Sequence, residues 1–138
     1  MPVIVDTSAL VAILTQEPGW ERLRVALLDE PARLPAPAKL EFLRVARGER
    51  LGLGDIAESL LGEWEAMGLE IVPFDDDHAR LAAQANAVHG SGSGTGGKLN
   101  LLDLMVYAVA KERREPLLCT GKDFAATELV LHPASRID

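Results

Sequence analysis

The sequence predicts an α/β fold in which helices flank a mainly parallel central sheet of four or five strands. Short apolar runs alternate along the chain with longer segments of helical periodicity, as expected for parallel strands joined by crossover helices. Hydrophobic residues make up 48% of the chain and charged residues 25%, the composition of a soluble globular protein. The length of 138 residues suits one hydrophobic core, so we expect one domain that spans residues 1–138.

Strands are predicted at short runs of apolar and β-branched residues that end at turn or capping residues. They span residues 2–5, 33–36, 69–74, 116–119 and 129–131. The first run stops at Asp6-Thr7-Ser8, a sequence that is suited to cap a following helix. The last run is the shortest, so the sheet has either four strands or five.

Helices are predicted where apolar residues recur at helical spacing or follow capping residues. In one of these segments, for example, Ile56, Leu60 and Trp64 fall on the same face, and Gly68 ends the pattern. The predicted helices span residues 9–14, 20–28, 37–47, 55–67, 75–88, 100–109 and 123–127. Residues 90–97 contain only Gly, Ser and Thr, so they are expected to form a loop.

The composition also limits the function. A formal net charge of −7 argues against a purely electrostatic nucleic-acid binder, which needs clustered Lys and Arg, but is compatible with a nuclease whose carboxylates hold metal ions. Cys119 is the only cysteine, so no intramolecular disulfide is expected, as is typical of a reducing compartment. The sequence lacks a signal-peptide pattern and any apolar run long enough to span a membrane. We therefore expect a cytoplasmic protein with no membrane partner.

Four of the 21 acidic residues are distinguished by their surroundings. Asp6 and Asp123 follow the first and the fourth predicted strands, and the carboxyl ends of parallel strands share one edge of a sheet. Glu41 and Asp103 lie inside apolar helical segments. Acids gathered in this way would supply the hard oxygen ligands that Mg²⁺ and Mn²⁺ prefer. Such ions activate water for the hydrolysis of phosphodiesters.

Each of these acids also has a purely structural interpretation. Asp6 and Asp123 are suited to cap helices that follow them, and Glu41 is suited to a solvent-exposed helix face. Asp103 lies three residues after Asn100 and is suited to complete a capping arrangement. Four neighbouring carboxylates without a metal ion would repel one another, which predicts a raised pKa for at least one of them.

Four sequence motifs resemble those of the PIN-domain family, specifically its VapC-type toxins from bacterial toxin–antitoxin pairs. The motifs are VDTSAL, PAKLEFLRVA, LNLLDLMVYAVAK and LLCTGKDFAATEL, which carry Asp6, Glu41, Asp103 and Asp123 in that order. Their order, their spacing and the chain length agree with the family over essentially the whole chain. The resemblance implies a three-layer PIN fold and an endoribonuclease that depends on Mg²⁺ or Mn²⁺. It also implies an RNA substrate, a VapB-type antitoxin and a homodimer.

Within this resemblance the four acids are the expected catalytic residues. Asp6, Asp103 and Asp123 are expected to bind the metal ion directly, whereas Glu41 is expected to act as a ligand or to orient the attacking water. Further side chains are expected to contact a carboxylate, a metal-bound water or a phosphate: Thr7, Ser8, Lys98 and Thr120. Thr7 and Ser8 are equally suited to helix capping.

The segment before the third motif departs from the family pattern. It is often basic in the family, but residues 89–98 contain one histidine, His89, and one lysine, Lys98, among Gly, Ser and Thr. The departure leaves the choice of RNA target open. The antitoxin is expected to lie across the site as an extended peptide and to offer an Arg to the acids. Trp20, Leu43 and Trp64 are expected either to line its groove or to belong to the core.

Three other functions were weighed against the sequence pattern: a phosphate-binding loop, a receiver-like signalling domain and a catalytically silent binding module. Residues 92–98 fit the phosphate-binding pattern G-x-x-x-x-G-K, but a predicted helix precedes them and Leu99 stands where Ser or Thr is required. A receiver-like signalling domain needs a pair of acids after its first strand, whereas Thr7 follows Asp6. A catalytically silent, antitoxin-binding module on the same fold stays open, because only activity separates it from the enzyme.

Overall fold

The computed structural model describes residues 1–137, which form a parallel sheet flanked by helices. The strands are β1 Val3–Val5, β2 Ala32–Pro35, β3 Glu70–Val72 and β4 Leu117–Leu118. The helices are α1 Thr7–Leu14, α2 Trp20–Asp29, α3 Ala36–Arg47, α4 Gly54–Ala66, α5 Asp76–His89 and α6 Leu101–Arg113. The strand order is β3-β2-β1-β4 and every pairing is parallel, which confirms the predicted fold class.

The register of the sheet brings the carboxyl ends of β1 and β4 together. Val5 pairs with Leu118, and the Asp6 N–H donates a 3.0 Å hydrogen bond to the Leu118 carbonyl. All three residues of β1 are fully buried, as expected for a central strand of a parallel sheet that helices cover on both faces. The residues that follow β1 and β4 therefore emerge side by side.

The core is aliphatic, with a small aromatic contact between α3 and α4. The rings of Phe42 and Trp64 lie 6.2 Å apart, and the Trp64 side chain is almost completely buried. Trp64 therefore belongs to the core, and its interpretation as a groove residue is wrong. Trp20 and Leu43 are partly buried and pack against the same core.

The chain after β4 differs from the prediction. The helix expected over residues 123–127 is absent from the described residues, which form turns there, with Ala125 N–H bonded to the Lys122 carbonyl at 3.1 Å. Gly121, just before this segment, adopts φ 88°, a left-handed conformation that favours glycine. Residues 129–131 make one isolated bridge, between Leu117 and Leu131, in place of a fifth strand. One pairing is too short to extend the sheet.

The Gly/Ser-rich segment 90–97 is a loop that is closed at its base. Gly90 and Leu99 form an isolated bridge, and Ser91 N–H donates to the Leu99 carbonyl at 2.8 Å. A Cβ atom at Gly97 would overlap the backbone carbonyl of His89, so the close approach requires glycine at this position. Across the described residues, no helix combines the length and the apolarity needed to cross a membrane.

Candidate functional site

A cleft of about 270 Å³ opens where the carboxyl end of the sheet meets α1, α3 and α6. The cleft is lined by all four predicted acids and by three of the predicted supporting residues, together with four further side chains. The lining residues are Asp6, Thr7, Ser8, Val11, Glu17, Glu41, Val45, Asp103, Thr120, Asp123 and Phe124. Lys98 is exposed at the end of the Gly/Ser-rich loop and lies outside this lining.

Asp6 is both the N-cap of α1 and a wall of the cleft. Its Oδ2 atom accepts hydrogen bonds from the Ser8 N–H at 3.0 Å and from the Ser8 Oγ at 2.5 Å. Burial raises the pKa of the Asp6 carboxyl, the hydrogen bonds from Ser8 oppose that rise, and the charge of Glu41 adds to it. The capping interpretation of Asp6 is therefore correct, and it does not remove Asp6 from the cleft.

Ser8 joins the two strand ends beneath the cleft. Besides donating to Asp6, its Oγ atom accepts the Thr120 N–H at 2.9 Å. The hydroxyl thus ties the residue after β1 to the first residues after β4. Thr7 lines the cleft as well, but its hydroxyl donates to the Ala38 carbonyl at 3.2 Å and fastens α1 to α3.

Asp103 stands at the first turn of α6 and forms a capping box with Asn100. The Asp103 N–H donates to Asn100 Oδ1 at 2.8 Å, and the Asn100 N–H donates to Asp103 Oδ2 at 3.1 Å. Burial is the largest cause that raises the pKa of Asp103, to about 7. The hydrogen bond from Asn100 opposes this rise, and the charges of Asp6, Asp123 and Glu41 add to it. One of the four acids thus has the raised pKa that was expected, although burial contributes more to it than repulsion between the carboxylates.

Glu41 and Asp123 are the other two predicted acids that line the cleft. Glu41 is partly buried on α3, whereas Asp123 is exposed on the turn that follows β4. The negative field of the site also reaches the buried thiol of Cys119. Burial raises the pKa of this thiol to about 12, and the charges of Asp6, Asp103 and Asp123 add to the effect. The acids therefore act on one another and on the sheet beneath them.

Glu17 is a fifth acid in the cleft that the sequence reasoning missed. It lies in the connection between α1 and α2, directly after Gln16, which has a φ of 52°. No apolar helix or strand surrounds it, so its local sequence resembles that of any exposed acid. The turn at Gln16 aims the chain back toward the cleft, and Arg136 Nη2 lies 3.7 Å from Glu17 Oε1.

The side chains that line the cleft suit a hard divalent cation by their donor chemistry. Their polar groups are carboxylates and hydroxyls, and none of the residues that line the cleft in the described part of the chain is basic. Within residues 1–137, no three His, Cys, Asp or Glu side chains lie close enough together to hold a metal ion without rearrangement. An ion therefore requires the carboxylates to rotate inward or water to complete its shell, and Mg²⁺ commonly retains several waters.

Comparisons with known proteins agree with this architecture. The PIN domain family matches residues 3–129. The chain is 40% identical to ribonuclease VapC42 of Mycobacterium tuberculosis strain H37Rv over 129 residues, which cover 92% of this chain and 96% of that relative. It is 36% identical to a ribonuclease VapC of Mycolicibacterium smegmatis over 128 residues, or 92% of this chain and 97% of that relative.

Solved structures share the fold at lower sequence identity. VapC20 of Mycobacterium tuberculosis, a toxin that cleaves the sarcin–ricin loop, superposes with a TM-score of 0.73 at 13% identity, covering 93% of this chain and 96% of that one. A chain of the DNA-bound VapBC2 complex of Rickettsia felis gives a TM-score of 0.70 at 14% identity, covering 96% and 98%. Because the family match and the relatives both span most of its length, this chain belongs to the VapC-type ribonucleases of the PIN-domain family.

Proposed function

We propose that this protein is a metal-dependent endoribonuclease that serves as the toxin of a toxin–antitoxin pair. The observation that carries the proposal is the convergence of Asp6, Glu41, Asp103 and Asp123 on one cleft, whose lining among residues 1–137 includes no Lys, Arg or His. The relatives named VapC ribonucleases support the activity. We also propose that residues 1–138 form one domain, located in the cytoplasm, that carries this activity.

Asp6, Asp103 and Asp123 would hold one or two divalent ions, Mg²⁺ or Mn²⁺. Such an ion, when bound, supplies an activated water and offsets the charge that develops on the phosphoryl oxygens. The hydrogen bonds of Ser8 fix Oδ2 of Asp6 and so set the direction of this carboxylate. The capping box does the same for Oδ2 of Asp103. The other oxygen of each carboxylate is not engaged in these contacts.

Glu41 would orient the attacking water and accept its proton. It lines the cleft from α3, an element that carries none of the other three acids. Thr120 lines the same cleft, and its hydroxyl is suited to donate to a non-bridging phosphate oxygen. Lys98, outside the cleft, would contact a phosphate farther along the RNA.

The partner of this chain would be a VapB-type antitoxin whose peptide covers the cleft. Large apolar side chains are exposed beside two of the acids: Leu40 and Val45 flank Glu41 on α3, and Leu101 precedes Asp103 on α6. An extended peptide with apolar side chains and one arginine would match this surface, because the arginine can pair with the carboxylates. Toxin–antitoxin complexes among the solved structures of the same fold, such as one from Klebsiella pneumoniae, support this kind of partner. We further propose that the toxin is a homodimer.

The direct test is cleavage of single-stranded RNA by the purified, metal-stripped protein with Mg²⁺, Mn²⁺ or EDTA. We expect cleavage with either metal and none with EDTA, and the products should carry a linear phosphate and no cyclic phosphate, because water and not the ribose 2′-hydroxyl is the nucleophile. Cleavage that persists in EDTA and leaves a cyclic phosphate would contradict the mechanism. Binding of an antitoxin without any cleavage of RNA would identify a catalytically silent binding module.

A further inference from the structure

An RNA nuclease with an acidic cleft must hold an anionic substrate against its own charge. The chain carries a net charge of −7, and the lining of the cleft among residues 1–137 includes no Lys, Arg or His. Affinity for the backbone of a nucleic acid comes from Lys and Arg side chains that contact its phosphates. The cations that hold the RNA must therefore stand beside the lining and be free of other partners.

Two basic residues are direct chain neighbours of residues that line the cleft. Arg44 precedes Val45 on α3, and Lys122 precedes Asp123 on the turn after β4. Arg44 also lies three residues after Glu41, and side chains at this spacing are neighbours on the surface of a helix. The two cations thus emerge beside the cleft from two different elements of the fold.

Arg44 differs from the other basic residues of α3 in having no acidic partner. Lys39 Nζ lies 3.4 Å from Glu65 Oε2, and Arg47 Nη2 lies 3.4 Å from Glu58 Oε2, with both acids on α4. Arg44 is exposed, and no ion pair or side-chain hydrogen bond within residues 1–137 engages its guanidinium. The paired cations of α3 therefore serve its contact with α4, whereas the unpaired one lies next to Glu41.

Lys122 is placed by a turn whose backbone is hydrogen-bonded on both sides. The Gly121 N–H donates to the Arg136 carbonyl at 2.7 Å, and the Ala125 N–H donates to the Lys122 carbonyl at 3.1 Å. The Lys122 side chain is exposed, and nothing in the part of the chain that the structure describes bonds to its ammonium. The backbone is thus held in place while the ammonium is available to an anion.

A purely structural role explains these cations less well. Basic residues in the last turn of a helix interact favourably with the helix dipole, but Arg44 and Arg47 share the last turn of α3, so the dipole does not distinguish them. The chain contains 21 acidic residues and 14 Lys and Arg residues, so acidic partners are plentiful. Cations that stay unpaired beside an acidic cleft are available to an anion from outside the chain.

We propose that Arg44 and Lys122 bind separate phosphates of the RNA strand that crosses the carboxylate cleft, one from α3 and the other from the turn after β4. This inference rests on the proposed ribonuclease function and names two residues that position its substrate. The guanidinium offers two parallel hydrogen bonds to phosphate oxygens, and the ammonium offers a compact point charge. Two contacts from different elements set the course of the strand, so that one phosphodiester is presented to the acids.

The test is the salt dependence of RNA binding, measured by fluorescence anisotropy with a short labelled single-stranded RNA in EDTA, so that the RNA is not cut. Arg44→Gln and Lys122→Gln are each expected to bind about 3- to 10-fold more weakly. Their plots of log Kd against log salt should be shallower by about 0.7, the value of one phosphate contact on a single strand. Because the two phosphates are separate, the double variant should be shallower by about 1.4.

The matched controls remove the same charge elsewhere. Arg47→Gln changes the same turn of α3, but its guanidinium is already paired with α4. Arg24→Gln removes an exposed cation from α2, a helix that contributes no residue to the described lining of the cleft. Both controls should keep the wild-type slope, and so should Arg44→Lys, which retains the charge. Since Arg44 and Lys122 are exposed, their glutamine variants should keep the thermal midpoint of the wild type.

An unchanged slope in either glutamine variant would overturn the inference. A double variant that is no shallower than the single variants would overturn it as well, because the contacts would not be separate. Equal losses in Arg24→Gln would do the same, since they would show an effect of net charge alone.

The two proposals can fail separately. Wild-type protein that cleaves RNA while Arg44→Gln and Lys122→Gln keep the wild-type slope would leave the ribonuclease function standing and remove the role of the two cations. Wild-type protein that binds RNA with the expected slopes but never cleaves it would support that role and contradict the enzyme. Wild-type protein that does not bind the RNA at low salt would overturn the inference.

Discussion

Asp103 and Asn100 hydrogen-bond each other reciprocally, each side chain accepting the other's backbone N–H, at 2.8 and 3.1 Å. The same carboxylate stands in the acidic cleft and has a pKa raised to about 7. Asp103 is therefore a helix cap and a cleft acid at once. One oxygen, Oδ2, serves the cap, which holds the carboxylate in place on the first turn of α6.

The raised pKa of Asp103 predicts a pH-dependent stability in the metal-free protein. The folded state keeps a proton that the unfolded state has released, between the unfolded pKa of 3.8 and the folded value of about 7. Stability should therefore fall as the pH rises through this window, by about 1–2 kcal/mol after allowance for partial solvation. Urea unfolding in EDTA, from pH 5 to pH 8, measures it.

Asp103→Asn is the matched variant for this prediction. Asparagine keeps an acceptor for the Asn100 N–H but cannot ionise, so the free energy of unfolding should lose most of its fall with pH. A variant that keeps the full pH dependence of the wild type would show that other groups cause it. Asp103→Ala also removes the acceptor of the Asn100 N–H, and should be about 1 kcal/mol less stable than Asp103→Asn at every pH.

Divalent ions should stabilise the fold more at high pH than at low pH. An ion in the cleft has to displace the proton of Asp103, so below a pH of about 7 its apparent affinity falls. At a Mn²⁺ concentration of about 100 times Kd, the free energy of unfolding should rise by about 2.7 kcal/mol. Thermal unfolding with and without Mn²⁺ at pH 6 and pH 8 measures the difference.

The control for this metal effect is an acid outside the cleft. Asp76 is exposed on the first turn of α5, so Asp76→Asn should respond to Mn²⁺ as the wild type does. Asp6→Asn should lose most of the response. Equal stabilisation of the two variants by Mn²⁺ would mean that the ion binds elsewhere.

Replacement of Ser8 should disturb both stability and the cleft. Ser8→Ala removes the hydroxyl that donates to Asp6 and accepts from the Thr120 N–H, which leaves a backbone donor without its partner. The expected loss of stability is about 1–3 kcal/mol. RNA cleavage should fall as well, because the Asp6 carboxylate loses its orientation. The measurements are chemical denaturation and the rate of RNA cleavage, with Ser8→Thr as the control because it keeps the hydroxyl. If Ser8→Ala and Ser8→Thr lose equal stability and activity, packing and not the hydroxyl is responsible.

Glu128 should support the turn that carries Asp123. Its carboxylate accepts hydrogen bonds from the Tyr107 hydroxyl and from Lys111 Nζ at 2.7 Å, and it lies 3.2 Å from His89 Nε2. The hydrogen bond of Lys111, followed by that of Tyr107, lowers the pKa of Glu128 to about 2. Its contribution is therefore present above the unfolded pKa of 4.5 and is lost as the pH falls toward 2.

Because half of the Glu128 side chain is exposed, Glu128→Gln should lower stability at neutral pH by no more than about 1 kcal/mol. The difference from the wild type should disappear in acid. Glu63→Gln, on the exposed face of α4, is the comparison and should leave the thermal midpoint unchanged. A larger loss in Glu63→Gln than in Glu128→Gln would refute the supporting role.

The sequence could predict the parts of this molecule that depend on local pattern. Asp6 follows a buried strand, and parallel pairing alone carries it to the edge where the residues after β4 emerge. The interpretations of Asp6 and Asp103 as helix caps were equally sound, since both caps exist. A capping acid and an acid of the cleft look alike in the local sequence, so only the four family motifs distinguish these acids from the other acidic residues.

Other parts depend on contacts between distant segments, which local pattern does not record. Glu17 enters the cleft through a turn at Gln16 whose left-handed φ nothing in the neighbouring residues demands. A helix is predicted over residues 123–127, but the backbone there closes turns instead, with the Ala125 N–H bonded to the Lys122 carbonyl and the Thr127 N–H to the Phe124 carbonyl. Residues 129–131 likewise form an isolated bridge and not a strand, because only Leu131 pairs with the sheet, at Leu117.

The most direct test of the central claim is the single-turnover rate of RNA cleavage at saturating Mn²⁺ by the wild type, Asp103→Asn and Asp76→Asn. Loss of even an outer partner of a bound metal costs about 10- to 100-fold, so Asp103→Asn should be slower by at least about 100-fold. Asp76→Asn should cleave at the wild-type rate. A folded Asp103→Asn protein that cleaves RNA as fast as the wild type would contradict a site built from these four carboxylates.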